Sequence, residues 1–215
     1  MNNYQLYIFD WDGTLMDSVG RIVSSMRAAA HLAGVEKPAV ENAKGIIGMS
    51  LALGIETLFP KLSDAKREEI FHLYKEQYLV LNETPTPLFD HTIEMLTALN
   101  KQDKVITIAT GKARAGLTRI FAETKTEHFF HSTRTADDAA SKPSPEMIEQ
   151  LLTEFNIAPE NAVMIGDSLF DLKMAQAAGI DRIGVTIGAA SREALSEFAP
   201  VAIVDSIAEL AELIV

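Results

Sequence analysis

The sequence predicts an α/β protein with a parallel sheet at its core and a helical domain inserted into that core. Three observations support this fold class. Near its start the chain has a largely apolar run, Tyr4–Phe9. Residues 16–84 carry no strand pattern, and strands alternate with helices from residue 85 onward. Such alternation is typical of βαβ units, which build a parallel sheet covered by helices.

The first part of the chain contains one predicted strand followed by helices. The run Tyr4–Phe9 lacks the alternation of a half-exposed strand, and this is typical of a strand buried on both faces. Apolar residues spaced three and four apart predict a helix over Met16–Ala33. The segment Pro38–Pro60 predicts one or two short helices, and Ser63 can cap a helix that continues to Leu81.

A proline-rich segment, Thr84–Pro87, marks the predicted domain boundary, because two prolines one residue apart stop any helix. We therefore expect a core domain made of residues 1–15 and 85–215, and an inserted helical domain made of residues 16–84. After the boundary the pattern predicts four helices: Phe89–Asn100, Lys112–Glu123, Pro145–Phe155 and Leu169–Ala178. It predicts four strands that alternate with them: Val105–Ala109, Phe129–Thr133, Ala162–Ile165 and Arg182–Thr186. A last helix, strand and helix follow.

Composition excludes several classes of protein. The 215 residues include 19 basic and 30 acidic side chains, so the net charge is −11, which argues against binding to nucleic acid or to an anionic membrane. There is no cysteine, which excludes disulfides and thiolate chemistry. The N-terminus has no basic region of a signal peptide, and no apolar run approaches the ~18 residues of a membrane span. We expect a soluble protein of the cytoplasm.

Polar residues follow two of the predicted strands directly. Asp10 and Asp12 come after the first strand, and Thr110 and Gly111 come after Val105–Ala109. In open α/β sheets ligands bind at the carboxyl ends of the strands, so the two acids form a candidate active site. The hydroxyl and the glycine N–H form a candidate corner for an anion, although Thr110 taken alone is more simply a helix cap.

Two further segments are expected at the same edge of the sheet. Lys142 lies on a loop stiffened by the prolines of Pro143–Pro145, although most lysines are simply solvated. Asp167 and Asp171 follow the strand Ala162–Ile165 and are four residues apart, so both can face one point. As alternatives, Asp167 caps the next helix and Asp171 is a favourable acid near its positive end.

Taken together, these acids predict a magnesium site. Two like charges about 4 Å apart repel by about 4 kcal/mol at an effective dielectric constant of about 20, so a cation must offset them. Hard oxygen ligands without histidine or cysteine suit Mg²⁺. A zinc site is disfavoured because the five histidines show no HExxH spacing, and an EF-hand because its further acids are missing. The candidate metal ligands are Asp10, Asp12, Asp167 and Asp171.

These four segments resemble the motifs of the haloacid dehalogenase superfamily. They occur in order along the chain as DWDGT at 10–14, Thr110, Lys142 and GDSLFD at 166–171, so the resemblance spans nearly all of it. A helical insertion directly after the first motif is similar to the phosphoglycolate phosphatase-like branch of subfamily IA. The resemblance implies a Rossmann-like core, with residues 16–84 forming a cap domain over the active site.

The resemblance also implies a role for each motif residue. Asp10 is then the nucleophile that forms an aspartyl-phosphate and a ligand of Mg²⁺. Asp12 is the general acid and base, and its backbone carbonyl is also a metal ligand. The phosphoryl oxygens are held by Thr110, Gly111 and Lys142. Lys142 also steadies the nucleophile, and the remaining metal ligands are Asp167 and Asp171.

We therefore predict a phosphatase of small phosphorylated metabolites, and two alternatives stay open. The first is a phosphomutase similar to β-phosphoglucomutase, although Thr14 favours the phosphatase. The second is a non-catalytic regulator that senses a metabolite. Substrate choice is expected to lie in the cap, at Asp17, Arg21 and Met49, the last within the small apolar segment Gly45–Ser50. Oligomeric state, monomer or homodimer, is left open.

Overall fold

A computed structural model describes residues 4–215 of the chain. Among these residues six strands form one parallel sheet in the order β3-β2-β1-β4-β5-β6, which is the strand order of a doubly wound Rossmann-type sheet. The predicted fold class is therefore confirmed. The strands are β1 (Leu6–Phe9), β2 (Val105–Ala109), β3 (Ser132–Arg134), β4 (Ala162–Gly166), β5 (Asp181–Val185) and β6 (Ala202–Val204).

Residues 4–215 form ten α-helices, of which α1 to α4 come between β1 and the later helices of the chain. They are α1 (Val19–Leu32), α2 (Val40–Lys44), α3 (Leu51–Leu58), α4 (Asp64–Glu76), α5 (Thr92–Lys101), α6 (Arg114–Thr124), α7 (Glu146–Phe155), α8 (Leu169–Ala177), α9 (Arg192–Ser196) and α10 (Ile207–Ile214). A π-helical turn, Gln77–Leu81, directly extends α4. No helix in the described part of the chain is long and apolar enough to cross a membrane.

Strand β1 lies at the centre of the sheet, and all four of its residues are buried. Its side chains alternate between two cores. Tyr7 and Phe9 pack with α5, α6 and α10 on one face, and Leu6 and Ile8 pack with α7 and α8 on the other. Burial on both faces explains why this strand has a continuous apolar sequence.

The register of β1 aligns the strand ends that carry the site. Phe9 pairs with Ile108 of β2 on one side and with Ile165 of β4 on the other. The backbone N–H of Asp10 donates to the carbonyl of Ile165 at 3.0 Å, so pairing with β4 continues one residue beyond the strand. Residues that follow β1, β2 and β4 consequently emerge at one edge of the sheet.

Helices α1 to α4 and the π-helical turn pack around apolar clusters of their own. One cluster draws its fully buried members only from this segment: Met26, Ala29, Ala30, Ala33, Ile46, Ile55, Phe59 and Ile70. The chain enters this segment after residue 15 and leaves it before β2. Its treatment as a separate domain, with boundaries at 15/16 and 84/85, stays a prediction.

Three helices begin two or three residues later than their apolar patterns predicted: α5 at Thr92 rather than Phe89, and two helices, α1 and α6, whose start affects the site. Helix α1 begins at Val19 rather than Met16, because Met16 forms isolated bridges with Asp12 and Leu88 instead of a helical turn. Helix α6 begins at Arg114 rather than Lys112, which leaves the side chain of Lys112 in the turn after β2. Both differences place polar residues at the edge of the sheet.

Candidate active site

Asp10 lies directly after β1 and is 1% exposed. Its Oδ1 accepts hydrogen bonds from the backbone N–H of Trp11 at 2.7 Å and from the ammonium of Lys142 at 3.0 Å. No described residue donates to Oδ2, and Asp10 lines a cavity beside the sheet edge. One carboxylate oxygen is therefore held in place while the other stays available.

Lys142 is completely buried, which the composition of its loop did not require. Its ammonium contacts Oδ1 of Asp171 at 2.6 Å and Oδ1 of Asp10 at 3.0 Å. Burial alone lowers the pKa of this amine, but the two carboxylates outweigh burial and raise the pKa above its usual value. Lys142 thus links two acids as a buried cation, and the alternative of a solvated lysine is wrong.

Asp167 follows β4 and is enclosed by short contacts. Its Oδ1 accepts from the hydroxyl of Thr14 at 2.8 Å, and its Oδ2 accepts from the N–H of Ala189 at 2.7 Å. A Cβ added at Gly13 or Gly188 would lie 2.2 or 2.0 Å from Oδ2, which is closer than any real contact. These two glycines are therefore required for the carboxylate to occupy this position.

Asp171 lies in the first turn of α8, and its two carboxylate oxygens have different partners. Ser168 is the N-cap of α8, and Oδ2 of Asp171 accepts from the N–H and the hydroxyl of Ser168 at 3.0 and 2.7 Å, which forms a capping box. Its Oδ1 contacts Lys142. Asp167, the proposed alternative cap, does not cap α8. The structural use of Oδ2 fixes the direction in which Oδ1 points.

Three of the four candidate ligands form a compact cluster that fits a divalent cation. Asp10, Asp167 and Asp171 each offer an oxygen atom, and these atoms lie within 4.8 Å of one another in the buried interior. Three carboxylates against the single ammonium of Lys142 leave a net charge of −2 when all are ionised. All donors are hard oxygens, which suits Mg²⁺. The side chain of Asp12 does not belong to this cluster.

Burial and neighbouring carboxylates raise the pKa values of two acids in this cluster. Burial raises the pKa of Asp10 to about 7, the ammonium of Lys142 opposes this, and the carboxylates of Asp171 and Asp12 add to it. Burial and then the carboxylates of Asp171 and Asp10 raise the pKa of Asp167 well above its usual range. Without a further cation these carboxyl groups bind protons instead, as buried like charges do.

Asp12 is held by a separate set of donors. The hydroxyl of Ser18 donates to its Oδ1 at 2.7 Å, and the ammonium of Lys112 contacts its Oδ2 at 2.9 Å. The same ammonium lies 5.3 Å from the ring centre of Tyr78, on the π-helical turn. Sequence reasoning missed Lys112 because it assigned this residue to a helix. The signal available was its place two residues after Thr110 in one short turn.

Thr110 and Gly111 lie beside Asp10 in the wall of the same cavity. The Oγ1 of Thr110 accepts the backbone N–H of Lys112 at 3.2 Å, and Thr110 is not the cap of α6, whose N-cap is Ala113. A Cβ added at Gly111 would lie 2.4 Å from the carbonyl oxygen of Met49. The glycine therefore permits the helical segment to approach the sheet edge.

The three residues predicted to select the substrate lie in different environments. Met49 lines the cavity. Asp17 is exposed, its backbone N–H donates to Pro87, and it does not line this cavity. Arg21 also lies outside the lining, and its guanidinium packs 5.2 Å from the ring centre of Tyr78. The structure brings only Met49 of these three to the cavity that Asp10 lines.

Three features lie together at the carboxyl edge of this parallel sheet: a buried acid held by a lysine, a cluster of carboxylates and an adjoining cavity. Together they define an α/β enzyme site. Sequence comparison places the chain in a family. Residues 7–185 match the haloacid dehalogenase-like hydrolases, and the chain belongs to this family. The family and hydrolase class indicated by the four motifs are thereby confirmed.

Individual relatives are similar over their whole length. A phosphoglycolate phosphatase of Vibrio cholerae is 27% identical, with 100% of this chain and 98% of the relative aligned. Pyrophosphatase PpaX of Bacillus thuringiensis is 28% identical, with 94% and 93% aligned. A solved structure, named as a haloacid dehalogenase-like hydrolase from Bacteroides fragilis, superposes with a TM-score of 0.88 at 27% identity, over 96% of this chain and 99% of that one.

Proposed function

We propose that this chain is a Mg²⁺-dependent phosphatase that hydrolyses a small phosphomonoester through an aspartyl-phosphate on Asp10. The observation that supports this most strongly is the arrangement of Asp10 itself. Lys142 and the N–H of Trp11 both contact Oδ1, Oδ2 has no donor among the described residues, and the residue lines the cavity. The names of the relatives from Vibrio and Bacillus agree with phosphate-ester and pyrophosphate hydrolysis.

In the first step Oδ2 of Asp10 attacks phosphorus, and the bond from phosphorus to the alcohol oxygen breaks. Asp12 donates a proton to that leaving oxygen. In the second step Asp12 removes a proton from water, which attacks the aspartyl-phosphate and releases inorganic phosphate and free Asp10. Dividing the hydrolysis between two displacements at one carboxylate is nucleophilic catalysis with an acid and base partner.

Other residues would position these groups. Lys142 orients Asp10, and its charge together with Thr110 and the N–H of Gly111 would bind the oxygens of the phosphoryl group. Mg²⁺ would be held by Asp10, Asp167, Asp171 and the backbone carbonyl of Asp12. When bound, it would supply positive charge to the phosphoryl oxygens. The carboxylate cluster with its net charge of −2 supports this assignment.

The test is hydrolysis of p-nitrophenyl phosphate by the purified chain with and without Mg²⁺. We expect activity that disappears with chelator and falls by at least about 10⁴-fold in Asp10→Asn. Asp103→Asn, at an exposed position with a positive φ that asparagine tolerates, serves as the matched control and should retain full activity. Activity that survives Asp10→Asn contradicts the covalent mechanism.

A second measurement identifies the intermediate and tests the alternatives. Rapid acid quench followed by mass spectrometry should show one phosphoryl group on the peptide that contains Asp10, removed by hydroxylamine. Isomerisation of a sugar phosphate in the presence of a sugar bisphosphate, followed by NMR, would instead establish a phosphomutase. Tight binding of a phosphorylated metabolite with no turnover of any ester would establish the regulator. The cytoplasmic location stays a prediction.

A further inference from the structure

The cavity beside Asp10 is large for the substrate that the relatives' names suggest. Its volume is about 570 Å³, within the range of roughly 300–1,000 Å³ that is usual for sites binding larger organic ligands. Asp10, Asp12, Thr110 and Gly111 lie in its wall on the side of the sheet. A phosphoryl group bound at these residues therefore leaves most of the cavity for the leaving group.

The opposite wall is formed by apolar side chains of the helical segment. Five of them are less than 10% exposed and belong to the apolar clusters of this segment: Ile22, Met26, Ile46, Ile47 and Tyr78. The large apolar side chains of the wall are Ile22, Met26, Ile46, Ile47, Met49, Leu51, Phe71, Tyr74, Tyr78 and Leu79. A polar leaving group would lose hydration at these side chains, among which the hydroxyl groups of Tyr74 and Tyr78 are the hydrogen-bonding groups.

The cations that line this cavity already have contacts among the described residues. Lys112 pairs with Asp12 at 2.9 Å, and Arg119 pairs with Glu123 at 2.7 Å. The ammonium of the exposed Lys75 lies 5.5 Å from the ring centre of Phe71. A second anionic group on the substrate, such as a carboxylate or a second phosphate, would therefore compete with Asp12 for Lys112 or with Glu123 for Arg119.

We propose that the preferred substrate is the phosphomonoester of an alcohol with an apolar body of about six or more carbon atoms. The apolar body fills the cavity against the wall of the helical segment while the phosphoryl group reaches Asp10. This assignment rests on the proposed phosphatase activity and narrows it. It departs from phosphoglycolate, whose leaving group is a two-carbon acid.

The test is a series of primary alkyl phosphates, from ethyl through butyl to hexyl phosphate, compared with phosphoglycolate and pyrophosphate. The alcohols differ little in acidity, so chain length reports on burial alone. We expect kcat/KM to rise by about fourfold for each methylene, which is about 250-fold over the four methylenes from ethyl to hexyl phosphate. Phosphoglycolate and pyrophosphate should be poorer substrates than hexyl phosphate.

A matched pair of variants locates the effect in the wall. Met49→Gln keeps the size of the side chain but adds an amide, and it should reduce the ratio of hexyl to ethyl phosphate by about tenfold, chiefly through KM. Leu32→Gln makes a similar apolar-to-amide change at a position that is 56% exposed and outside the cavity, and it should leave the ratio unchanged.

The outcomes separate this inference from the proposed function. A flat chain-length profile, or a preference for phosphoglycolate, overturns the apolar leaving group even though p-nitrophenyl phosphate is hydrolysed with Mg²⁺. If Met49→Gln leaves the ratio of hexyl to ethyl phosphate unchanged, the apolar body of the substrate does not lie against this wall. Failure to hydrolyse any ester, including p-nitrophenyl phosphate, shows instead that the proposed function is wrong, and the inference falls with it.

Discussion

The edge of the sheet and the wall of the helical segment face each other across one cavity, yet they are built differently. At the sheet edge each carboxylate has defined donors, such as Lys142 for Asp10 and Thr14 for Asp167. The helical wall presents apolar side chains without directional contacts. Hydrogen bonds position reacting atoms closely, while apolar contact tolerates different shapes, so the sheet edge suits chemistry and the wall suits selection of the substrate.

Lys142→Met should produce the largest effect, because it removes the only ammonium that the described residues place in the carboxylate cluster. We expect loss of activity by about 10³-fold, since Asp10 loses its orienting partner. Without metal, the free energy of unfolding should fall by about 3–5 kcal/mol because a buried ion pair is broken on one side only. Urea denaturation and the p-nitrophenyl phosphate assay measure these two quantities.

Lys101→Met is the control for this variant, since Lys101 is exposed in the last turn of α5. It should change neither quantity measurably. If Lys142→Met unfolds at the same urea concentration as the unaltered protein, the buried charge pair is not important for stability and the cluster has another counter-charge.

Gly13→Ala should have the next largest effect, and Gly34→Ala separates its causes. Both glycines have positive φ, 79° and 72°, so alanine costs about 1–2 kcal/mol of backbone strain at either position. At Gly13 the added Cβ would also lie 2.2 Å from Asp167, whereas at Gly34 nothing lies within 4 Å. We expect about 10²-fold lower activity and weaker Mg²⁺ binding only in Gly13→Ala. Calorimetric Mg²⁺ titration and steady-state kinetics distinguish the pair.

Lys112→Met should have a smaller effect on activity, because it removes one of two donors to Asp12 and leaves Ser18 in place. We expect kcat to fall by about tenfold and the free energy of unfolding to fall by about 1–3 kcal/mol, because the mostly buried Asp12 loses one donor. Lys61→Met, an exposed change outside the cavity, should be silent. A fall in stability without a fall in kcat would assign Lys112 to packing against Tyr78 instead.

The smallest effect concerns the pH dependence of stabilisation by Mg²⁺. The pKa of Asp10 is raised to about 7 and that of Asp167 well above its usual range. The folded protein therefore binds protons at these two carboxyl groups more tightly than the unfolded chain does. The metal-free protein therefore loses stability as pH rises from about 4 through 7. Because Mg²⁺ competes with these protons, the rise in Tm on adding Mg²⁺ should be larger by a few degrees at pH 7.5 than at pH 5.5. An equal rise at both values contradicts a metal site at these carboxylates.

The motif residues could be predicted because their positions follow from the strands. Once Tyr4–Phe9, Val105–Ala109 and Ala162–Ile165 are assigned as parallel strands, the residues after them must meet at one edge. The role of Lys112 could not be predicted in this way. Its contact with Asp12 depends on where α6 begins, and helix ends are set by local contacts that apolar spacing does not record.

The cavity wall shows the same limit more clearly. Arg21 and Met49 both belong to the helical segment and were equal candidates from the sequence. The fold places only Met49 in the cavity, since Arg21 is drawn to the ring of Tyr78 and the carbonyl of Thr84. Packing of one helix against another decides which side of each helix faces the cavity. These packing contacts join residues that are far apart in the chain.

The sequence by itself determined the parallel sheet, the insertion of helices after β1 and the set of acids at the sheet edge, because these follow from local periodicity and strand order. The tertiary structure alone decided that Lys142 is buried between Asp10 and Asp171, that Asp12 pairs with Lys112, and that the cavity has an apolar wall. Burial and charge pairing arise only when distant segments meet and exclude water. These properties therefore depend on the complete packing of the chain.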